Sequence, residues 1–554
     1  MIKYIQNVLI MPIKELCRMG MFLNNKSPII NYRKMTENPY FVDKSDLISE
    51  LIKNSYANQY ICITRPRRFG KTVMANMLAA FFEKNTDSSD IFDSLKISQY
   101  DEYKKHLNKH EIIYIDFSEV PDGCSSYKEY ITRITTGLKS DLIQKYPELG
   151  LDADKAVWDV LSEILDKTNG QQFIFIMDEW DAVFHMSFIT DKDKDEFLLF
   201  LKSLLKSKAY VEIAYMTGIL PIAKYSGGSE LNMFAEFQMT TMEMFSEYFG
   251  FSDNEVDELY SRYLRLCKNP KVSREGLREW YDGYRIASGG RLYNPRSVVF
   301  AFQYNQLSDY WTSSGPYDEI FYYIKNNIDD VRNDLALMVA GERIETRIQQ
   351  YAAVSMELNT RSEIYSAMLV YGLLTYEDGE VFIPNKELMR KFEELLMKKE
   401  DLGYIHSLAK ESAKMLNATL ASDTETMERI LDHAHNTETP ILSYNYETEL
   451  AAIVNLVYLS ARDKYRIERE SKAGKGFVDF IFYPKKKDAD CIILELKVDH
   501  SPDEAIEQIK EKNYALNFKG RLGEKSEYTG RILAVGISYS KETKYHSCKV
   551  QELT

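Results

Sequence analysis

Eight residues, RPRRFGKT from Arg65 to Thr72, make a basic turn with the chemistry to hold a phosphate chain. A standard phosphate loop reads GxxxxGK[ST]. Here Gly70, Lys71 and Thr72 supply its second half, and Arg65 stands where the first glycine belongs. Gly70 lets backbone N–H groups approach phosphate oxygens. Lys71 can reach the β and γ phosphates, Thr72 can ligate Mg²⁺, and the helix that follows presents its positive end. Arg68 and Phe69 complete the nucleotide-contacting turn. Taken alone, the same residues could be a chance GKT in a basic surface turn. The stretch FIFIMDEWD then places Asp178 and Glu179 at the C-terminal end of an apolar run, where open α/β sheets bind their ligands. Asp178 suits a Mg²⁺ shell and Glu179 suits polarising an attacking water. Asp181 reads as structural or as a helix start. Thr217, at the tip of the next apolar run, could sense a γ-phosphate or be a satisfied strand-end threonine. The chemistry implied is binding and hydrolysis of ATP with Mg²⁺.

A second constellation lies near the C-terminus. Asp479 sits in GFVDFIFY, and Glu495 follows in CIILELKV with Lys497 two positions on. A strand period of two puts Glu495 and Lys497 on one face, and an adjacent strand can bring Asp479 beside them. Two carboxylates there form a hard oxygen site for Mg²⁺ or Mn²⁺. Lys497 would orient or help deprotonate an attacking water and offset phosphate charge. Glu447, opening the preceding helix, can add a ligand, with Glu449 as the competing choice. Gln508, on the following helix, can position water or phosphate, whereas Tyr514 does not share that helix face closely. A lone D…ExK is also the pattern of a half-exposed sheet face with ordinary charges. The apolar flanks of both strands, the Glu-opened helix and Gln508 favour the site.

The elements that must position these groups are legible as patterns. Apolar runs at 60–64, 112–116, 173–177 and 212–216, separated by helical stretches, read as a buried parallel sheet. A helix is expected over 72–83, and Ser252 with Glu255 forms a capping box that opens another. Residues 364–374, the turn signal Asp378-Gly379 and residues 386–397 give helix, hairpin, helix, a winged-helix-like order. The last unit reads helix 447–461, strands 477–483 and 491–498, helix 502–518 and strand 531–539. Arg285 in WYDGYR and Arg296 in NPRSV stand where an arginine finger could act, though a structural role, stacked on nearby tyrosines, is favoured for both.

A chain of 554 residues is too long for one core, so several domains are expected. Aromatic content of 13% argues against disorder. A net charge of −14 argues against a protein that coats nucleic acid by bulk charge. Residues 441–554 sum to about +1, so a nucleic-acid contact is expected there if anywhere. The six cysteines are scattered without a CxxC pair, which suits free thiols in a reducing cytosol. No run approaches the ~20 apolar residues of a membrane helix, and the N-terminus lacks a cleavage site, so a cytoplasmic protein is expected. Met19 and Met21 could be alternative starts.

RPRRFGKT, FIFIMDEWD, MTGILPIAK, WYDGYR and LYNPRSV together resemble the predicted AAA-ATPase-like family of many anaerobic bacteria. The resemblance covers residues 38–385, and the Arg-Pro-Arg-Arg turn is similar to that family's usual pattern. It implies a P-loop fold and an ATP site. ETEL, GKGFVDF, ILELKV and AIEQIKEKNYA resemble the PD-(D/E)XK nuclease superfamily. That resemblance implies metal ligation by Glu447, Asp479 and Glu495, catalysis by Lys497 and support from Gln508. Val478 stands where the superfamily's proline would precede the first acid.

The fold class expected is therefore α/β: a P-loop NTPase parallel sheet domain, a helical and winged-helix-like middle region, and an α/β PD-(D/E)XK nuclease-like domain. The divisions expected are an extension at 1–35, the ATPase core at 36–270, a lid and helical region at 271–440, and the nuclease-like domain at 441–554. The function expected is an ATPase coupled to a metal-dependent nuclease acting on DNA more than RNA, with a homo-oligomer possible. The alternative is an ATP-dependent switch or assembly protein whose C-terminal domain binds nucleic acid or protein without cutting.

Overall fold

The computed structural model describes residues 20–222, 231–240, 242, 244–312, 329–348, 360–398, 404–435, 447–473, 476–518 and 528–553, with some side chains, those of 447–449 included, outside that description. The chain forms two compact units. One holds residues 1–315, 346–379 and 384–387; the other holds 316–345, 380–383 and 388–554.

The first unit is built on five parallel strands. They are β1 (Tyr60–Thr64), β2 (Glu111–Asp116), β3 (Phe173–Asp178), β4 (Val211–Gly218) and β5 (Ala235–Gln238), in the order β2-β3-β4-β1-β5. β1, β3 and β4 are buried almost throughout, because helices cover both faces of a parallel sheet and leave no polar side to alternate with. β1 lies between β4 and β5, so the chain leaves β1 for β2 at one edge while β4 connects past β1 to β5 at the other, and the strand order switches beside β1. A ligand crevice forms at such a switch point. Helix α1 (Lys71–Phe82) leaves β1 there and buries Met74 through Phe82 against the sheet. Residues before position 36 also join this unit. Leu23 bridges Ile113 in antiparallel sense, and Phe22 and Leu23 are buried. The expected capping box is present, Ser252 and Glu255 each bonding the other's backbone N–H.

In the middle region, helices Arg361–Val370 and Lys386–Lys398 flank short strands Thr375–Glu377 and Glu380–Phe382. Asp378 and Gly379 between these strands both have positive φ, the conformation that a tight two-residue turn demands.

The second unit carries a mixed sheet of β6 (Tyr465–Ala473), β7 (Gly476–Pro484), β8 (Cys491–Val498), β9 (Ile532–Tyr539) and β10 (His546–Leu553), in sequential order. β8 and β9 are parallel and the other pairs antiparallel. Helix α2 (Glu447–Val457) precedes the sheet, and α3 (Pro502–Glu511) makes the crossover between β8 and β9. β10 is an edge strand, and helix Thr424–His435 protects it: Glu428 accepts from Cys548 N at 2.7 Å and Asp432 from His546 N at 2.8 Å. Gly536 lets α3 lie close to β9. A Cβ there would stand 2.3 Å from the Pro502 carbonyl oxygen. Gly536→Ala is therefore expected to lower stability by about 1–3 kcal/mol in urea unfolding, because backbone and not a flexible side chain must move.

Among the described residues no helix is long and apolar enough to cross a membrane.

Candidate functional site

In the first unit the expected residues converge where β1, β3 and β4 end. Lys71 is buried, and its Nζ donates to the carbonyls of Arg65 at 3.1 Å and Pro66 at 3.2 Å. Burial lowers its pKa, while Glu179, Asp181 and Asp178 pull the other way. The structure also accounts for Arg65 replacing the first glycine. The left-handed residues of this turn are Arg68 (φ 69°) and Gly70 (φ 92°). Arg65 needs no such freedom. Its side chain turns inward, donates to the carbonyls of Thr64 and Phe237 at 2.7 Å, and lies 5.0 Å over the Phe249 ring. Phe69 packs its buried ring edge-on against Tyr284 at 4.9 Å, so only its backbone faces the turn's interior chemistry. A Cβ on Gly70 would meet nothing within 4 Å, so open space lies beside the turn.

Asp178 is fully buried with Thr72 close by, and its Oδ1 accepts from Glu179 N at 3.1 Å. Its Oδ2 has no partner. Burial, with Asp116 and Glu179 nearby, pushes its pKa up to about 7 against the pull of Thr72 and Lys71. An orphaned, buried carboxylate oxygen beside a threonine hydroxyl fits a Mg²⁺ ion. Glu179 follows with a positive φ of 49°, held there because Trp180 is fully buried and bonds the Leu220 carbonyl at 3.2 Å. Asp181 is structural: it accepts from Ile219 N and from Leu220 N at 2.9 Å. Thr217 lies on β4, between the strands carrying Lys71's turn and Asp178, and its hydroxyl donates to the Ile63 carbonyl at 2.9 Å. Asp116, which sequence patterning did not single out, pairs in register with Asp178. Its signal was its position at the end of an apolar run, the same signal that Asp178 carries. Arg285 pairs with Glu377 at 3.1 Å, and Arg296 stacks on Phe300 at 4.5 Å, a phenylalanine where a tyrosine was expected.

In the second unit the register of β7 and β8 assembles the other constellation. Phe480 pairs with Leu494, and one step further the same register sets Asp479 opposite Glu495. The ladder stops there because the Asp479 carboxylate takes the Leu496 N–H at 2.7 Å. Glu495 is 3% exposed. Its Oε1 accepts from Gln508 and lies 3.4 Å from Lys497 Nζ, while its Oε2 has no partner. Burial, then Asp479, pushes its pKa up to about 7. The orphaned Oε2 beside Asp479 again fits a divalent cation. Gly536 is the register partner of Glu495, so the close approach of α3 is what brings Gln508 to Glu495. Tyr514, excluded by counting along one long helix, belongs to the cluster. α3 ends at Glu511, the left-handed Asn513 turns the chain back, and Tyr514 hydrogen-bonds Gln508. Glu447 opens α2 as expected, but its side chain and that of Glu449 lie outside the described residues.

The two raised carboxyls give a pH dependence with a definite sign. Asp178 and Glu495, held near 7, keep protons that the unfolded chain has already lost above its ordinary carboxyl pKa. The metal-free fold therefore loses stability as pH rises from about 4 to about 7, and the loss is complete above 7. A cation displaces those protons. Mg²⁺ is accordingly expected to raise the unfolding temperature more at about pH 8 than at about pH 6, with proton release at the lower pH, in scans with and without the ion.

Residues 28–226 match the family model of predicted AAA-ATPases, and residues 445–546 match that of the PD-(D/E)XK nuclease superfamily. The chain joins an AAA-ATPase-like domain to a PD-(D/E)XK-superfamily domain. Across 91% of its length it is 22% identical to an uncharacterized protein in the vnfD 5′ region of Azotobacter chroococcum, covering 94% of that protein. The Walker-type ATPase PABY2304 of Pyrococcus abyssi is similar over 63% of this chain and 94% of its own, at 15% identity and a TM-score of 0.36. The ORC2 protein of Aeropyrum pernix, with ADPNP and ADP, is similar over 64% of this chain and 94% of its own, at 10% identity and a TM-score of 0.30. The ATPase-like match ends at residue 226, after β4, and so includes the turn, Asp178, Glu179 and Thr217. The nuclease-superfamily match includes Asp479, Glu495, Lys497, Gln508 and Tyr514.

Proposed function

We propose that this protein is an ATP-gated, metal-dependent nuclease of the cytoplasm that acts on DNA. The observation that carries the proposal is the set of Asp479, Glu495, Lys497 and Gln508 on β7, β8 and α3, with one buried Glu495 oxygen left without a partner. At the nucleotide site, Lys71, Gly70 and the backbone of Arg68 and Phe69 receive the phosphates. Thr72 and Asp178 hold Mg²⁺, Glu179 orients and polarises the attacking water, and Thr217 reports the γ-phosphate to β4. At the second site Asp479 and Glu495, with Glu447 as a third ligand, hold Mg²⁺ or Mn²⁺. The bound ion supplies Lewis-acid stabilisation of charge on the phosphodiester. Lys497 would orient the water and offset phosphate charge, and Gln508 holds one Glu495 oxygen, leaving the other available to a cation. Nucleotide turnover in the first domain controls access of the nucleic acid to the second. A homo-oligomer would supply an arginine in trans, since Arg285 and Arg296 are already engaged.

The test is incubation of the full chain with linear and circular duplex DNA, single-stranded DNA and RNA in Mg²⁺ or Mn²⁺, with and without ATP. Cutting of DNA that requires ATP supports the proposal. If folded, ATP-binding protein cuts none of these, the second domain binds without cutting and the chain is an ATP-dependent switch.

A further inference from the structure

A third group of chemical residues lies at the N-terminal ends of β2 and β4, the opposite end of the parallel strands from the phosphate turn. His106 ends the helix Asp101–His106, His110 immediately precedes β2, and Glu212 is the second residue of β4. The turn that brings the two histidines together is firmly built. Asn108 adopts a left-handed φ of 53°, and its side chain bonds the Glu83 carbonyl at 2.8 Å and Ser88 Oγ at 3.0 Å. The imidazoles stack with planes 11° apart, and His106 Nδ1 lies 3.0 Å from His110 Nε2. His110 Nδ1 lies 2.9 Å from Glu212 Oε2. Phe82 closes one side, edge-on to both rings. The site is reachable: the His110 side chain is 12% exposed and that of Glu212 30%.

We infer that His106, His110 and Glu212 bind one transition-metal ion of the Zn²⁺ class. One donor atom from each residue can be chosen so that all three lie within 4.8 Å of one another. Donors around a tetrahedral Zn²⁺, with bonds of about 2.0–2.2 Å, stand roughly 3.3 Å apart, so small side-chain rotations complete the set. Two imidazoles and one carboxylate select Zn²⁺, Co²⁺ or Ni²⁺ over Mg²⁺, which prefers oxygen ligands. The fourth position is left for water. The ion would tie the chain before β2 to the start of β4, two places about 100 residues apart in sequence. Its role is a clamp across the N-terminal ends of β2 and β4, separate from both sites described above.

The test uses the full chain, stripped with chelator and then saturated with Mg²⁺ to occupy the oxygen sites. It is titrated with Co²⁺ by visible absorbance and with Zn²⁺ by calorimetry. The expected result is one equivalent of Co²⁺ with a ligand-field spectrum, displaced by Zn²⁺, and a higher unfolding temperature on binding. His106→Ala and Glu212→Gln, each checked for folding by circular dichroism, are expected to weaken binding at least about tenfold. Asp178→Asn and Asp479→Asn are expected to leave it unchanged. Absence of stoichiometric binding, or binding indifferent to both His106→Ala and Glu212→Gln, would overturn the inference and leave the trio a hydrogen-bonded relay.

Discussion

Lys71→Ala is expected to abolish ATP hydrolysis and to weaken ATP binding by at least about 100-fold, the scale of losing a preorganised charged donor at a phosphate. The ammonium is fully enclosed, and its hydrogen bonds go to two backbone carbonyls of its own turn. Those bonds hold it at the place a phosphate chain would occupy, with Asp178, Glu179 and Asp181 near enough to sustain its charge. Removing it also removes a buried, desolvated cation. The variant should stay folded but unfold at a lower urea concentration than the parent, because buried Asp178 loses the cation that offsets its charge. Fluorescent-nucleotide titration and phosphate release check the first half of this prediction, and circular dichroism checks the second. Retained hydrolysis would mean that the turn is only a basic surface loop.

Glu495→Gln is expected to lower metal-dependent cleavage by about 10³-fold and, without metal, to stabilise the fold at about pH 8 by on the order of 2 kcal/mol. Both effects come from one cause. The carboxylate is 3% exposed, faces Asp479 and keeps one oxygen unpartnered. Ionised, it is costly without a cation and a strong ligand with one. The sign follows from its raised pKa of about 7. Above that value both the folded and unfolded carboxyls are charged, so the folded state carries the full penalty and the amide removes it. Below about pH 4 the carboxyl is neutral in both states, and the stabilisation disappears. Urea unfolding at the two pH values, beside a cleavage assay, reads both effects. Equal stability at high pH would show that Glu495 is not held in the environment described here.

Much of this was legible in the sequence because it rests on buried, one-sided patterns. β1, β3 and β4 are near-continuous apolar runs, so Asp178 and Thr217 at the ends of two of them, and Lys71 on the helix after the third, could be located from spacing alone. Asp479 and Glu495 were findable for the same reason, as acids inside apolar strands. The edges were not legible. β6 (YRIERESKA) and β10 (HSCKVQEL) are rich in charged and polar residues, as edge strands are, and read as loops. β5 is four residues long, and the pairing of Leu23 with Ile113 is a single bridge, too short for any periodicity. Tyr514 was missed because the helix from Pro502 looked continuous, and a left-handed asparagine carries no strong stop signal. The pairing of His106 and His110 with Glu212 joins residues about 100 positions apart and depends on the strand order, which no local pattern encodes.

We propose that one chain couples a nucleotide site to a metal-dependent nuclease site. Cleavage of duplex DNA in Mg²⁺ or Mn²⁺, with and without ATP, by the parent chain, Lys71→Ala and Lys497→Ala tests it most directly. Cutting is expected from the parent only with ATP, and from neither variant although both remain folded. Cutting that persists in Lys497→Ala, or that proceeds in Lys71→Ala at the parent's rate, would contradict it.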